Sequence, residues 1–596
     1  MTFSKSLITV LFALTVSFCS AFAGNFETYY EQSGNLATPR YAETLQYCQD
    51  LAKSSDFLHY TNFGTSPRGR EMMLLVADKN GNFSAEQVRS TDNAVLLVQA
   101  GIHAGEIDGK DAGLMLLRDI AHGKLDNLLD HVTIIFMPIF NVDGHERFGK
   151  YNRPNQNGPE EMGWRVTSKN LNLNRDYLKA DTLEMQHWIR LYNEWLPEFF
   201  IDCHVSDGAD FQYVLMYGLE TRGNMPEALT NWIENNYKIP LNNALTDFGM
   251  PMIEYGSFIR HHDPKSGLAG WVAPPKLSQG YTALRNRPGL LLETHMFKSY
   301  EQRVTGTYEV IKETCNILNR DYLELRAMIK EADSQTCGLA YNNQSLPLTF
   351  KSDMTDSTMI DFLGFEYTTI TSDLTGGSWP QFSDKPATFS IPYFSSYSPD
   401  KSIDLPRAYL IPPEWNEVIS ILELHGATVL RLSVPATVPV SSYKFTDAKW
   451  GNTPYEGRFR VSCNAENISE VRTWPAGTAL IRMNQDQAKV IAHFLEPDGL
   501  DSAVRWGYFG PIFEQKEYIE GYVMEQRARE MLAANPDLKT EFESAKKDDS
   551  ELANNPRAIL HWFYQRSPWW DDRINVYPVG RIFDNTDLHQ LLKLAE

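Results

Sequence analysis

Cysteine is scarce in this chain, with six in 596 residues. So thin a set excludes a fold held together by a disulfide framework, although one bridge stays open and Cys315 with Cys337 is the nearest pair in sequence. Basic charge is also in short supply: 55 Lys and Arg stand against 76 Asp and Glu, a formal net charge of -21. A nucleic-acid partner draws its affinity from cations that neutralise phosphates, so that class is set aside. Beyond the first two dozen residues no stretch approaches the roughly 20 apolar residues of a membrane-spanning helix. Internal repeats and low-complexity blocks are missing too, which excludes a repeat array and leaves a globular composition, 42% hydrophobic. At 596 residues the chain exceeds what one hydrophobic core usually serves, and two or three domains are expected.

What is present begins with a leader. Residues 1–23 carry a basic Lys5, an apolar stretch and the small-residue signature Ala21-Phe22-Ala23, the layout of a cleaved secretory signal. The mature protein is expected to start near Gly24 and to be exported, periplasmic or secreted, without a membrane span. Cys19 leaves with the leader and follows no lipoprotein pattern.

From residue 24 to about 335, strand-like runs alternate with helix-like ones. "NAVLLVQAG" precedes a helix around "GLMLLRDIA"; then come "HVTIIFMPIF", a helix around "DTLEMQHWIRLYNEW", "EFFIDCH", "PGLLLETH" and a long helical stretch. Alternation of this kind predicts an α/β fold, a sheet rich in parallel pairs and flanked by helices, with sites in the crevice beyond the carboxyl ends of strands. Past 335 the texture changes to short β-branched and aromatic runs broken by Ser, Asp, Gly and Pro. Residues 336–596 are expected to form a mixed α/β accessory region of unknown role.

The stretch "GIHAGEIDGKDAG" places His103 and Glu106 in the joint between a buried strand and a helix. Zinc is held by His nitrogen and carboxylate oxygen, and a catalytic site keeps one coordination position open. His103, Glu106 and a distant His204, closing "FFIDCH", make three such ligands. Glu293 ends the strand "GLLLE", where a carboxylate is costly unless paired or used, and it suits a general base beside the metal. Asn174-Arg175 can grip a carboxylate with parallel hydrogen bonds, and Arg165 adds a second fixed cation in the same polar loop. "RHHD", with His261 and His262, reads as a solvated or substrate-lining loop, because adjacent side chains seldom converge on one ion.

Taken in order, these elements resemble the zinc carboxypeptidases of the M14 family, the carboxypeptidase A-like or funnelin group. "HAGE" and "IDCH" match its zinc ligands at His103, Glu106 and His204; "GWR" matches its oxyanion-stabilising arginine at Arg165; "LNLNRD" matches the pair that binds the substrate's terminal carboxylate at Asn174 and Arg175; "LLLETH" matches its general base at Glu293. The resemblance covers about residues 35–330, and its flavour is that of large exported bacterial members with a C-terminal extension. It implies a mixed eight-stranded sheet flanked by helices, one zinc ion, and hydrolysis of the C-terminal peptide bond of peptides and proteins. Asn172 stands where the family commonly has an Asp that orients a zinc-bound His. For the family's mobile substrate-contacting tyrosine, Tyr281 is the candidate, because it precedes the Glu293 strand. On the same fold, a peptidoglycan stem-peptide carboxypeptidase or amidase and an N-acyl amino acid deacylase remain alternatives, as does a non-catalytic zinc-containing binding protein.

Overall fold

The computed structural model describes residues 26–338, 341 and 344–596. The leader of residues 1–23, with Cys19, lies outside the described residues. Contacts group the chain into two compact units, the first running to Leu405 and adding Ile421–Ala427 and Asn484–His493, the second made of Pro406–Ser420, Thr428–Met483 and Phe494–Glu596. The unit that carries the candidate site therefore continues well past the change of texture near residue 335.

The first unit is built from β1 (Leu58–Thr65), β2 (Glu71–Ala77), β3 (Ala94–Gln99), β4 (Val132–Met137), β5 (Phe199–Val205), β6 (Leu215–Leu219) and β7 (Met252–Glu254), then a hairpin of β8 (Ser257–Arg260) and β9 (Asp263–Ala269), then β10 (Gly289–Thr294). Eight of these form one sheet in the order β1-β2-β4-β3-β5-β10-β6-β7. Its centre, β4-β3-β5-β10, is parallel throughout, while β1, β2 and β6 add antiparallel pairs. This is the mixed, helix-flanked sheet expected from the sequence.

Every residue of β3, β4, β5 and β10 is buried, as near-continuous apolar strands require when both sheet faces are covered. Consecutive residues of β5 show the two coverings. Phe199 packs at a tilt against Tyr237, whose hydroxyl meets Thr314 of the long helix Tyr300–Cys337, whereas Phe200 meets Trp188 of the helix Leu183–Trp195. Successive strand residues point to opposite faces, so these helices lie on opposite sides. The helix Asp108–Ala121 begins so close to β5 that a Cβ on Gly109 would lie 2.5 Å from Cys203 Cβ. That glycine lets the turn of His103 and Glu106 and the His204 strand approach each other.

All five described cysteines are free. Cys315 and Cys337 share one helix, 22 positions apart; at about 1.5 Å per residue they are held on the order of 33 Å from each other. The bridge left open by sequence does not form.

The first unit also contains β11 (Ser345–Ser352), β12 (Thr358–Thr371), β13 (Ser378–Phe394) and β14 (Tyr397–Asp404). β12 and β13 form a long antiparallel ribbon, and β13 pairs in parallel with β9 at Tyr393↔Leu268 and Phe394↔Ala269. The second unit holds a six-stranded antiparallel sheet cored by Leu410, Val438, Val440, Trp474 and Leu480, and a helical end packed around Phe542, Trp562 and Phe563. No helix among the described residues is long and apolar enough to cross a membrane.

Candidate active site

The carboxyl ends of β3, β5 and β10 open into a cleft of about 740 Å³. His103 and Glu106 reach it from the turn between β3 and the helix Asp108–Ala121, His204 from β5 and Glu293 from β10. The register Glu293↔His204 sets those two side by side on neighbouring parallel strands.

Ligand-type atoms of His103, Glu106 and His204 all lie within 4.8 Å of one another, and all three residues are buried. Glu106 Oε2 is 3.1 Å from His103 Nδ1 and 3.0 Å from His204 Nδ1. The far ring nitrogens are tied down: His103 Nε2 is 3.0 Å from Asn172 Oδ1, and His204 Nε2 is 2.9 Å from the Asp202 carboxylate. A neutral amide oxygen thus stands behind His103 and a carboxylate behind His204, while both Nδ1 atoms face Glu106.

The electrostatics fit a resident cation. Burial would raise the Glu106 carboxyl, but His103, Arg153 and His204 carry it well below the usual carboxylate range. Burial lowers the His103 imidazole to about 4, with Arg165 and His204 adding to the effect, so it is neutral and ligand-ready. Burial would also lower His204, yet Asp202, Glu106 and Glu293 hold it well above its ordinary value. Three carboxylates converging on one buried imidazole call for positive charge at that point. Two imidazole nitrogens with one carboxylate oxygen form a donor set that suits zinc.

Glu293 is 7% exposed, and its Oε2 has no hydrogen-bond partner. Burial pushes its carboxyl up to about 8, against His204 and with help from Glu106, Asp202 and Asp207. A buried carboxylate with an empty acceptor site is held ready for a proton.

Arg165, Asn174 and Arg175 also line the cleft. Arg165 Nη1 donates to Glu106 Oε1 at 2.9 Å, and its side chain is 40% exposed. Asn174 Nδ2 lies 3.4 Å from His204 Nε2 and its Oδ1 is unpartnered; Arg175 Nη1 donates to the Asn174 carbonyl. Nine of the residues singled out in the sequence, His261 and His262 among them, are therefore brought to one cavity.

Tyr281 is not among them. It lies fully buried in the helix Ser278–Leu284, against Tyr177, Trp188 and Tyr192, with its hydroxyl 2.9 Å from His425 Nδ1. Sequence order put it ahead of the Glu293 strand, but the helix turns it into an aromatic core. The tyrosine that lines the cleft is Tyr255, which follows β7. The charge of Glu293, ahead of burial, Asp207 and Glu106, pushes its phenol up. His261 and His262 sit at the β8–β9 turn on the cleft's rim, apart from the ligand cluster. Arg153, which no motif marked, reaches Glu106 Oε1 at 2.8 Å.

The far wall is apolar. Met216, Leu268, Phe211 and Phe362 belong to one buried cluster and face the cavity, with Ile253 and Phe258 packed against them. Phe362 comes from β12 and stands edge-on to Phe211 and Phe258, at 5.6 and 5.5 Å between ring centroids.

A family model described as zinc carboxypeptidase matches residues 44–194. The chain is similar to carboxypeptidase 2 of Trichophyton rubrum, 22% identical over 492 residues that span 80% of this chain and 85% of the relative. It is likewise 23% identical over 502 residues to carboxypeptidase 2 of Trichophyton tonsurans, with the same coverage of 80% and 85%. Among solved structures, carboxypeptidase A from Helicoverpa armigera matches at 13% identity and a TM-score of 0.37, covering 54% of this chain and 83% of that one. A metallo-carboxypeptidase from Burkholderia cenocepacia matches at 16% identity and a TM-score of 0.35, covering 47% and 68%.

Proposed function

We propose that this chain, which a zinc carboxypeptidase family model matches over residues 44–194, is an exported peptidase that removes C-terminal residues from peptides and proteins. The observation that carries the reading is the pairing of a two-imidazole, one-carboxylate donor set with an unpartnered buried carboxylate in register beside it.

His103, Glu106 and His204 would hold one zinc ion. Bound there, the ion supplies a Lewis acid that polarises the scissile carbonyl and makes water more acidic. Arg175, with Asn174, takes the free C-terminal carboxylate through charge-assisted hydrogen bonds, which confines cleavage to the last peptide bond. Arg165 turns from Glu106 towards the scissile oxygen as negative charge develops on it. Glu293 accepts a proton from the attacking water on Oε2 and hands it to the leaving amine. Tyr255, held protonated opposite Glu293, donates a hydrogen bond to the substrate beside the bond that breaks. Residues 24–335 supply this chemistry, and residues 336–596 serve as accessory structure, with β12 contributing Phe362 to the cleft wall.

The test is mass spectrometry of a mixed peptide pool incubated with purified protein of known metal content, with and without a chelator. Stepwise, chelator-sensitive loss of C-terminal residues is expected. Zinc-loaded protein that leaves the pool untouched would overturn the reading.

A further inference from the structure

The turn between His103 and Glu106 holds a second guanidinium that the sequence motifs do not include. Glu106 divides its carboxylate between two tasks. Its Oε2 faces the imidazoles, 3.1 Å from His103 Nδ1 and 3.0 Å from His204 Nδ1. Its Oε1 receives Arg153 Nη2 at 2.8 Å and Arg165 Nη1 at 2.9 Å.

The two arginines differ in how they are held. The Arg165 side chain is 40% exposed, whereas that of Arg153 is 15% exposed. Arg153 Nε donates to Gln156 Oε1 at 3.2 Å, and Gln156 Nε2 donates in turn to the Gly105 and Gly158 carbonyls at 2.9 Å each. The Arg153 methylenes run directly over Gly105: a Cβ there would lie 2.8 Å from Arg153 Cγ and 2.8 Å from the Gly163 carbonyl. The residue between the two ligands is thus a glycine at the place where any side chain would unseat Arg153.

We propose that Arg153 is a positioning residue that holds the Glu106 carboxylate in its place beside the two imidazoles while Arg165 stays free to leave for substrate. The inference rests on the zinc reading of the site. Donors behind a ligand fix its orientation, and losing one typically costs roughly 10–100-fold in metal affinity. Two arginines on one oxygen make the arrangement robust to Arg165 departing: the fixed fork of Arg153 holds what the exposed one releases.

The test measures zinc affinity on the full-length protein by competition with a chromogenic chelator, and the visible spectrum of the cobalt-substituted protein, which reports carboxylate coordination without turnover. Arg153→Ala is expected to weaken zinc by roughly 10–100-fold and to shift the cobalt bands, with Arg153→Lys recovering part of both. Arg165→Ala is expected to lose kcat while keeping zinc affinity within a few-fold. Gly105→Ala should reproduce Arg153→Ala, and a circular-dichroism melt of each variant separates this from misfolding. Wild-type zinc affinity and an unchanged cobalt spectrum in a folded Arg153→Ala would overturn the proposal. So would an effect confined to KM, which would make Arg153 a substrate contact. Wild-type protein that binds zinc yet cleaves no peptide would sink the proposed function alone, because the affinity readout needs no substrate.

Discussion

Glu293 and His204 are register partners on the parallel strands β10 and β5, and both are buried. Adjacent parallel strands hold such partners at a fixed spacing, so the distance from the Glu293 carboxyl to the His204 imidazole is set by backbone hydrogen bonds and not by flexible loops. The geometry is therefore insensitive to what happens at the cleft's rim.

Glu293→Gln keeps shape and volume while removing the proton acceptor. Turnover should fall by about 10²–10⁴-fold, with zinc content unchanged by metal analysis. Full activity in this variant would remove Glu293 from the mechanism.

Asp202 lies 2.9 Å from His204 Nε2 and is itself held by Gln99 Nε2 at 2.8 Å. Asp202→Asn should weaken zinc by roughly 10-fold or more, because the imidazole loses its anionic anchor. Dialysis against graded chelator concentrations reads the effect, and unchanged retention would show that the contact does not orient the ligand.

Arg175→Ala should erase the distinction between free and amidated C-termini. A charge-assisted hydrogen bond contributes about 1.5–3 kcal/mol, so kcat/KM for free-acid peptides should drop by roughly 10–100-fold while that for C-terminal amides stays low and unchanged. A variant that still favours free acids would place the carboxylate elsewhere.

His425 is buried beside Tyr281 and Arg285, with Nε2 donating to the Leu178 carbonyl at 2.8 Å. Burial lowers its imidazole from 6.5 to about 4, with Arg285 adding to the effect. The unfolded chain takes up a proton that the folded chain refuses, so stability from this group is present above about pH 6.5 and is lost as pH falls towards 4. The loss is on the order of 3 kcal/mol. Thermal melts of wild type and His425→Gln from pH 7 to 4 should converge at the acid end, and parallel curves would refute the assignment.

That His204 and Glu293 would share a cleft was legible in the sequence because each sits near the end of an apolar strand, a local pattern, and His103 and Glu106 follow another such strand within one turn; Arg175 lies in a polar loop, where only its place in the motif marked it. Tyr281 was misread for a related reason: order along the chain says that a tyrosine precedes a strand, but not which side of the intervening helix it occupies. Trp188 and Tyr192, which make that side a core, come nearly a hundred positions earlier. Arg153 left no signal, because its role depends on a space above Gly105 that only packing reveals. Tyr255 and Phe362 reach the cleft through pairings distant in sequence, β7 with β6 for the first and β13 of the ribbon with β9 for the second, and such pairings leave no periodic signature.

The ribbon of β12 and β13 is fastened to the half that carries the candidate site by few but varied stitches. β13 pairs with β9, Gln212 donates to the Leu363 and Gly364 carbonyls, and Arg222 joins Glu254 to Tyr393. Cut at the end of the long helix, the chain would keep His103, Glu106, His204 and Glu293 and lose Phe362 from the cleft wall. The half with the candidate ligands is thus not a cassette that could be lifted out with its cleft intact. A fragment ending there would have to carry the ribbon along or find another wall, because the shape of the cavity depends partly on a segment that brings none of the candidate ligands.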